Sequence, residues 1–270
     1  LSLAPFSLVT NSLSLRGNVE IGTDALPTSF DLSGSIAAKN GTPTLLPLTG
    51  PKRVIDRANI TAKYDVAQGE NWSAKAELFG FNQIGVAIED VTIEANGTLS
   101  RTRNQNTAQL LRGVTAQVDL ALNGLDITDT KQQSALGETL VAKTTLAWND
   151  DAGFVIKDAH IQAQDTVLQA SGTLSDINDG LIFTGQANLD APQMSHFAPL
   201  AGRPLKGALI AELQGRYAIL GGSFDAKMSA KTQNAALGIA KVDALLGGSG
   251  TVTLQAIRNE TGVTLKSLDV

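Results

Sequence analysis

Residues able to carry acid, base or nucleophilic chemistry are thinly spread in this chain. Histidine, the side chain that most often moves protons near neutral pH, occurs only at His160 and His196. His160 sits in an alternating run, Ala159-His160-Ile161, which assigns it to a strand surface or groove edge. His196 sits beside Phe197 in a break between strand-like runs. Neither has a nucleophile motif next to it, and a histidine without a positioned partner is a weak catalytic signal. Cysteine is absent, which removes thiol nucleophiles, disulfides and cysteine-type zinc sites. The expectation is a non-enzymatic protein with no catalytic residue, no metal and no cofactor.

Two segments come near calcium chemistry and miss it. Asp176-Ile177-Asn178-Asp179-Gly180 resembles the opening of a calcium loop, but its spacing is one residue short and no bidentate Glu follows where the ion needs it. A plain turn explains it better. Gly247-Gly248-Ser249-Gly250 begins like a calcium-binding β-roll repeat, yet Val252 stands where that repeat places Asp. Acceptor tripeptides for N-glycosylation begin at Asn40, Asn59, Asn71, Asn96 and Asn259; in a chain this rich in Asn, Ser and Thr such matches arise by chance. The 21 basic and 26 acidic residues are scattered without long runs and leave a net charge of −5, which argues against nucleic acid as a partner.

What remains is the pattern that would position any site. Apolar and polar residues alternate over most of the chain, and a period of two places every second side chain on one face. Val114, Ala116, Val118, Leu120 and Leu122 exemplify such a face. The alternation reads as restarting after apolar-x-Gly triplets, among them Leu15-Arg16-Gly17, Leu32-Ser33-Gly34, Ala95-Asn96-Gly97, Ala170-Ser171-Gly172, Phe183-Thr184-Gly185 and Leu213-Gln214-Gly215. Strand-like runs include 30–38, 59–66, 72–79, 85–99, 114–127, 140–148, 154–163, 167–174, 181–189, 208–213, 223–230 and 250–257, and Asn, Asp and Gly clusters between them favour tight reversals. Segments 44–51, 191–207 and 237–248 interrupt the pattern. The last two have the apolar spacing of short helical turns that plug or brace a sheet. Gln- and Thr-rich stretches at 101–109 and 128–134 read as exposed loops or strand extensions. No polar linker forces a boundary, so residues 1–270 read as one continuous all-β strand array, a meander.

The apolar face has two readings. It is the core of a closed β-sandwich or barrel, or it lines an open trough. An aromatic share of 4% and many Ala and Gly on the inward phase fit the trough, and pattern alone does not choose. No stretch has the roughly 18 apolar residues of a spanning helix; outer-membrane strands also alternate, but two Trp and two Tyr are too few for aromatic girdles. The lining expected from strand phase is Ile36, Ile60, Val118, Leu120, Leu122, Leu146, Ile156, Ile161, Leu174, Phe183, Leu189, Leu209, Leu213, Phe224, Met228 and Leu254, any of which a bulge would turn to the other face.

Three stretches carry a family likeness: Ser195-His196-Phe197-Ala198-Pro199-Leu200-Ala201-Gly202-Arg203-Pro204-Leu205-Lys206-Gly207, then Leu237-Gly238-Ile239 with Val242-Asp243-Ala244-Leu245-Leu246-Gly247-Gly248, and Leu45-Leu46-Pro47-Leu48. With the strands between them they resemble the middle region of the TamB family, the translocation and assembly module subunit of Gram-negative bacteria, especially its alphaproteobacterial forms. The resemblance implies a periplasmic segment of an inner-membrane-anchored parent protein whose strands curl into an open half-pipe, the β-taco, with an apolar interior groove. It implies phospholipid transport between the membranes and outer-membrane protein assembly. The implied partners are phospholipid acyl chains or unfolded outer-membrane strands, and a TamA-type outer-membrane protein engaged through regions outside this segment. No catalytic motif carries over. A stack of about 15 to 18 strands at roughly 4.8 Å each would make a trough on the order of 70 to 90 Å long. The alternatives are a scaffold that pairs with nascent outer-membrane strands and a repetitive β-sandwich or β-helical surface adhesin.

Overall fold

The computed structural model describes residues 2–10, 12–37, 41–46, 50–103, 110–150, 153–176, 181–240, 243–244 and 247–269. The chain is all-β: 71% is strand and 9% helix, and the antiparallel sheet is open rather than closed into a barrel. In chain order the strands are β1 (Ser2–Val9), β2 (Leu13–Ile21), β3 (Pro27–Ala37), β4 (Thr44–Leu45), β5 (Arg53–Ile55), β6 (Arg57–Asp65), β7 (Asn71–Gln83), β8 (Val86–Arg103), β9 (Leu110–Asn123), β10 (Asp126–Ile127), β11 (Leu140–Asn149), β12 (Gly153–Ala163), β13 (Thr166–Ser175), β14 (Ile182–Ala191), β15 (Lys206–Ala218), β16 (Phe224–Ala236), β17 (Ser249–Asn259) and β18 (Gly262–Asp269). Among the described residues, helices α1 (Thr130–Leu136) and α2 (Ala198–Ala201) and short 3-10 turns at Val66–Gln68 and Met194–Phe197 interrupt them.

Contacts divide the chain into two compact units, residues 1–128 with 138–151, and residues 129–137 with 152–270. In the first, the main ladder runs β1-β2-β3-β6-β7-β8-β9-β11, each neighbour antiparallel. In the second, β12 to β18 pair in simple succession. This is the meander that the Asn, Asp and Gly clusters lead one to expect.

Two local readings change. The apolar-x-Gly triplets do not mark strand restarts: Gly17, Gly34, Gly97, Gly172, Gly185 and Gly215 lie inside strands, paired across the ladder. Their spacing of two from an apolar residue puts each glycine on the apolar face. The stretch at 128–134 is not a loop or strand extension but the start of α1. The Asp129 side chain accepts a hydrogen bond from the Lys131 N–H at 2.9 Å, and the Gly137 N–H closes the helix onto the Gln133 carbonyl. A side-chain oxygen at the N-cap and glycine at the C-terminal end are the ordinary helix signals. Of the Gln/Thr stretch at 101–109, Arg101 to Arg103 extend β8 and 104–109 lie outside the described residues. So do Ile177–Gly180 of the calcium-like segment, Pro47 and Leu48, and Val242, Leu245 and Leu246.

Among the described residues the buried apolar side chains are Ile55, Ala58, Tyr64, Leu99, Leu125 and Ile127 in the first unit, and Ala135, Ala191, Met194, Ala211, Ala230 and Ala235 in the second. The chain exposes 16393 Å², whereas two compact globular proteins of half its mass would together expose roughly 13,400 Å². The excess fits sheet faces without a second layer over them.

Candidate functional site

Register turns the alternating pattern into continuous rows. In the first unit one row runs Leu8, Leu15, Gly34, Ile60, Ala76, Ile93, Leu120, Ala142. Its neighbour runs Leu13, Ile36, Ala58, Leu78, Val91, Leu122, Leu140. A third joins Leu32, Ala62, Ala74, Ala95 and Val118, and a fourth joins Phe30, Tyr64, Trp72, Gly97, Ala116 and Leu146. The opposite face carries Ser33, Thr61, Lys75, Glu94, Asp119 and Lys143 in one row, with Lys75 3.1 Å from Glu94 and Lys143 3.1 Å from Asp119. These ion pairs join directly opposite residues but are solvent-exposed and add little to the register.

The second unit repeats the plan. One row joins Phe154, Leu174, Phe183, Tyr217, Phe224 and Arg258, the next Ile156, Gly172, Gly185, Gly215, Ala226 and Ala256. Then come Ala159, Ala170, Ala187, Leu213, Met228 and Leu254, followed by Ile161, Leu168, Leu189, Ala211, Ala230 and Val252. Leu209 belongs to a fifth row with Ala191 and Thr232.

Every one of the sixteen residues expected on strand phase thus lies on the apolar face of its own unit. Ile156 and Ile161 are five apart and would face opposite sides of a regular strand. A bulge between Ile156 and Ala159 inserts one extra residue and returns both to the apolar side. Fifteen of the sixteen are half-buried and Ile60 is 46% exposed. Leu209 differs in its surroundings: with Leu205, Leu237 and Val252 it packs against Met194 and Ala235. The helical break at 194–201 therefore braces one end of this face, as its apolar spacing suggested.

Sequence reasoning missed the aromatic rows. Phe30 and Tyr64 stack with ring centroids 5.6 Å apart and interplanar angle 39°, and Trp72 follows in the same row, its Nε1 donating to the Thr115 carbonyl at 3.1 Å. Phe183, Tyr217 and Phe224 are likewise consecutive. These residues are far apart in sequence, so only register brings them together. The low aromatic share thus conceals two local aromatic clusters.

Glycine gives the second unit a crease. A Cβ added to Gly172 would stand 2.8 Å from Gly185 Cα, one on Gly185 2.7 Å from Gly172 Cα, and one on Gly215 2.7 Å from Ala226 Cα. Paired residues of a regular sheet hold their Cβ atoms about 4.5–5.5 Å apart, so the paired backbones here approach more closely than a side chain allows. The Phe183 ring covers the gap, with Cε2 2.8 Å from the position a Gly172 Cβ would take. Beside the crease is a cavity of about 420 Å³ walled by Phe183, Leu213, Tyr217, Phe224, Met228 and Leu254.

The first unit is instead pinned by charge at one margin. Arg101 on β8 donates from Nε to Asp24 Oδ2 at 2.6 Å, from Nη2 to the Pro27 carbonyl at 2.6 Å and from Nη1 to the Tyr64 hydroxyl at 3.2 Å. Arg112 on β9 donates to both oxygens of Asp150 and, from Nη1, to the Asp24 carbonyl at 3.0 Å. On a flat sheet β3 and β8, with β6 and β7 between them, would stand roughly 14 Å apart. The turn between β2 and β3 closes that distance over the ends of β6 and β7. Burial works against ionisation of Asp24, but hydrogen bonds from Arg101 and the Leu26 N–H and the nearby guanidinium charge hold its carboxyl below the usual range. Asp150 is lowered chiefly by its hydrogen bond from the Arg112 side chain.

The histidines fall in different settings. His160 lies on the polar face opposite Gln169, in keeping with a strand-surface position. His196 is mostly buried, its Nδ1 3.2 Å from Asp165 Oδ1. Ser134 Oγ is nearby but donates to the His196 main-chain carbonyl at 3.0 Å, so Ser, His and Asp do not form a proton relay through the ring. Among the described residues no cluster of three or more His, Asp or Glu is placed to hold a metal, and no helix is long and apolar enough to cross a membrane.

No family model matches the chain, and neither a curated protein nor a solved structure matches it.

Proposed function

We propose that the chain is a segment of a non-enzymatic periplasmic conduit of the TamB kind, in a parent protein anchored in the inner membrane, whose apolar faces carry phospholipid acyl chains between the membranes and serve outer-membrane assembly. The observation that carries this reading is the continuity of the apolar rows across consecutive strands with side chains only half covered. Each methylene laid on such a face contributes about 0.8 kcal/mol, while a headgroup stays in water. The test is native mass spectrometry of the gently purified chain with identification of bound lipid. Phospholipid should co-purify and be lost when Leu120 and Leu213 are changed to Asp. A lipid-free chain that takes up no added lipid would overturn the proposal.

A further inference from the structure

The rows would make a uniform track but for the crease in the second unit. There Gly172, Gly185 and Gly215 leave the floor without side chains, and the cavity of about 420 Å³ opens in the apolar face. At about 420 Å³ the space lies in the lower part of the range of small-ligand pockets, roughly 300–1,000 Å³. Its aromatic wall ends in a cation: Arg258 follows Phe224 directly in register. The Arg258 side chain is exposed and turned to the β15–β16 turn, with Nη1 3.6 Å from where a Gly222 Cβ would be. Arg216, on the polar face between Thr184 and Asp225, is paired with Asp176 at 3.9 Å.

We infer that the crease cavity is a dwell site for a single acyl chain of an anionic phospholipid, with the phosphate held at Arg258. The inference rests on the conduit reading and adds to it a fixed stopping place with a headgroup preference. An apolar slot of this size limits how many chains enter, and a guanidinium one register position beyond its aromatic wall can pair with phosphate in a fork geometry. Ala226 and Ala256, whose methyls face the slot from its floor, keep it open. Phe183, Tyr217 and Phe224 give the chain a rigid wall, at little cost in side-chain entropy.

The experiment loads the 270-residue chain from vesicles of labelled phosphatidylglycerol or phosphatidylcholine and follows release into excess unlabelled vesicles. The wild type should show a slow phase of one lipid per chain, about tenfold slower for phosphatidylglycerol than for phosphatidylcholine, above a fast phase from the rest of the face. Ala226→Phe fills the slot and should abolish the slow phase while leaving the fast one. Arg258→Glu, at an exposed position that does not threaten folding, should keep a slow phase and erase the headgroup preference. A wild type with only the fast phase, Ala226→Phe that folds and keeps the slow phase, or Arg258→Glu that keeps the preference would each overturn the dwell site and leave the conduit standing. A wild type that binds no lipid in either phase would overturn both.

Discussion

The two units share one strand grammar but build their apolar faces differently. The first interrupts its rows only singly, at Gly17, Gly34 and Gly97, each between residues with side chains, and draws one margin over with Arg101, Arg112, Asp24 and Asp150. The second removes side chains along Gly172, Gly185 and Gly215 and braces its other end with Met194 of the helical break. Charge can pin only where the partners are shielded enough to matter, and glycine leaves a void. Isolated glycines leave the apolar rows of the first unit nearly continuous, and three consecutive glycines lie beside the apolar cavity of the second.

The largest test of this contrast is Gly185→Val. Its side chain would run into the neighbouring strand at the Ser171 carbonyl and Gly172 Cα, at a cost of about 3 kcal/mol, read as a fall in the denaturation midpoint. If the variant were as stable as the wild type, the crease would not be a constraint on the fold. Next comes Arg101→Ala, which leaves Asp24 and the Tyr64 hydroxyl without their shared donor. With the two charged side chains 20% and 12% exposed, solvent screening holds the loss to about 1–2 kcal/mol.

Acid should separate the units more gently. The native pKa of Asp24 is lowered relative to the unfolded chain, so its contribution is complete above about 3.9 and is lost as pH falls through the lower native value. Urea melts between pH 5 and 2.5 should show this loss in the wild type and a flatter profile in Arg101→Ala; parallel profiles would remove Asp24 from the pinning. The smallest effect has the opposite sign. Gly34 sits in a row of the first unit, where a Cβ would meet nothing nearer than Leu15 Cδ1 at 3.4 Å. Gly34→Ala should therefore stabilise by about 0.4–1 kcal/mol through the unfolded state, where Gly185→Ala destabilises.

How much was legible follows from the reach of each signal. Leu120 and Leu213 could be put on the apolar face from their immediate neighbours, because alternation is local. Ile156 and Ile161 share a face only through a bulge that the run Lys157-Asp158 does not announce. Helix α1 had its signals in Asp129 and Gly137, but its Gln-rich interior lacks the apolar spacing by which helices are usually recognised. The glycine triplets were visible and misread, since a glycine that ends a strand and one that lies inside it look alike until the partner strand is known.

The sequence by itself determined an all-β chain, the period of two, and the division of side chains between an apolar and a polar face, because these depend on a residue and its near neighbours along one strand. Tertiary structure alone decided which residues stand beside each other across strands: the stacking of Phe30 on Tyr64, the succession Phe183, Tyr217, Phe224 and Arg258, the reach of Arg101 to Asp24, and the alignment of Gly172, Gly185 and Gly215 into a crease. Those depend on register, which is set by turns, bulges and the match of whole faces, and shifting a strand by one residue would redraw every row.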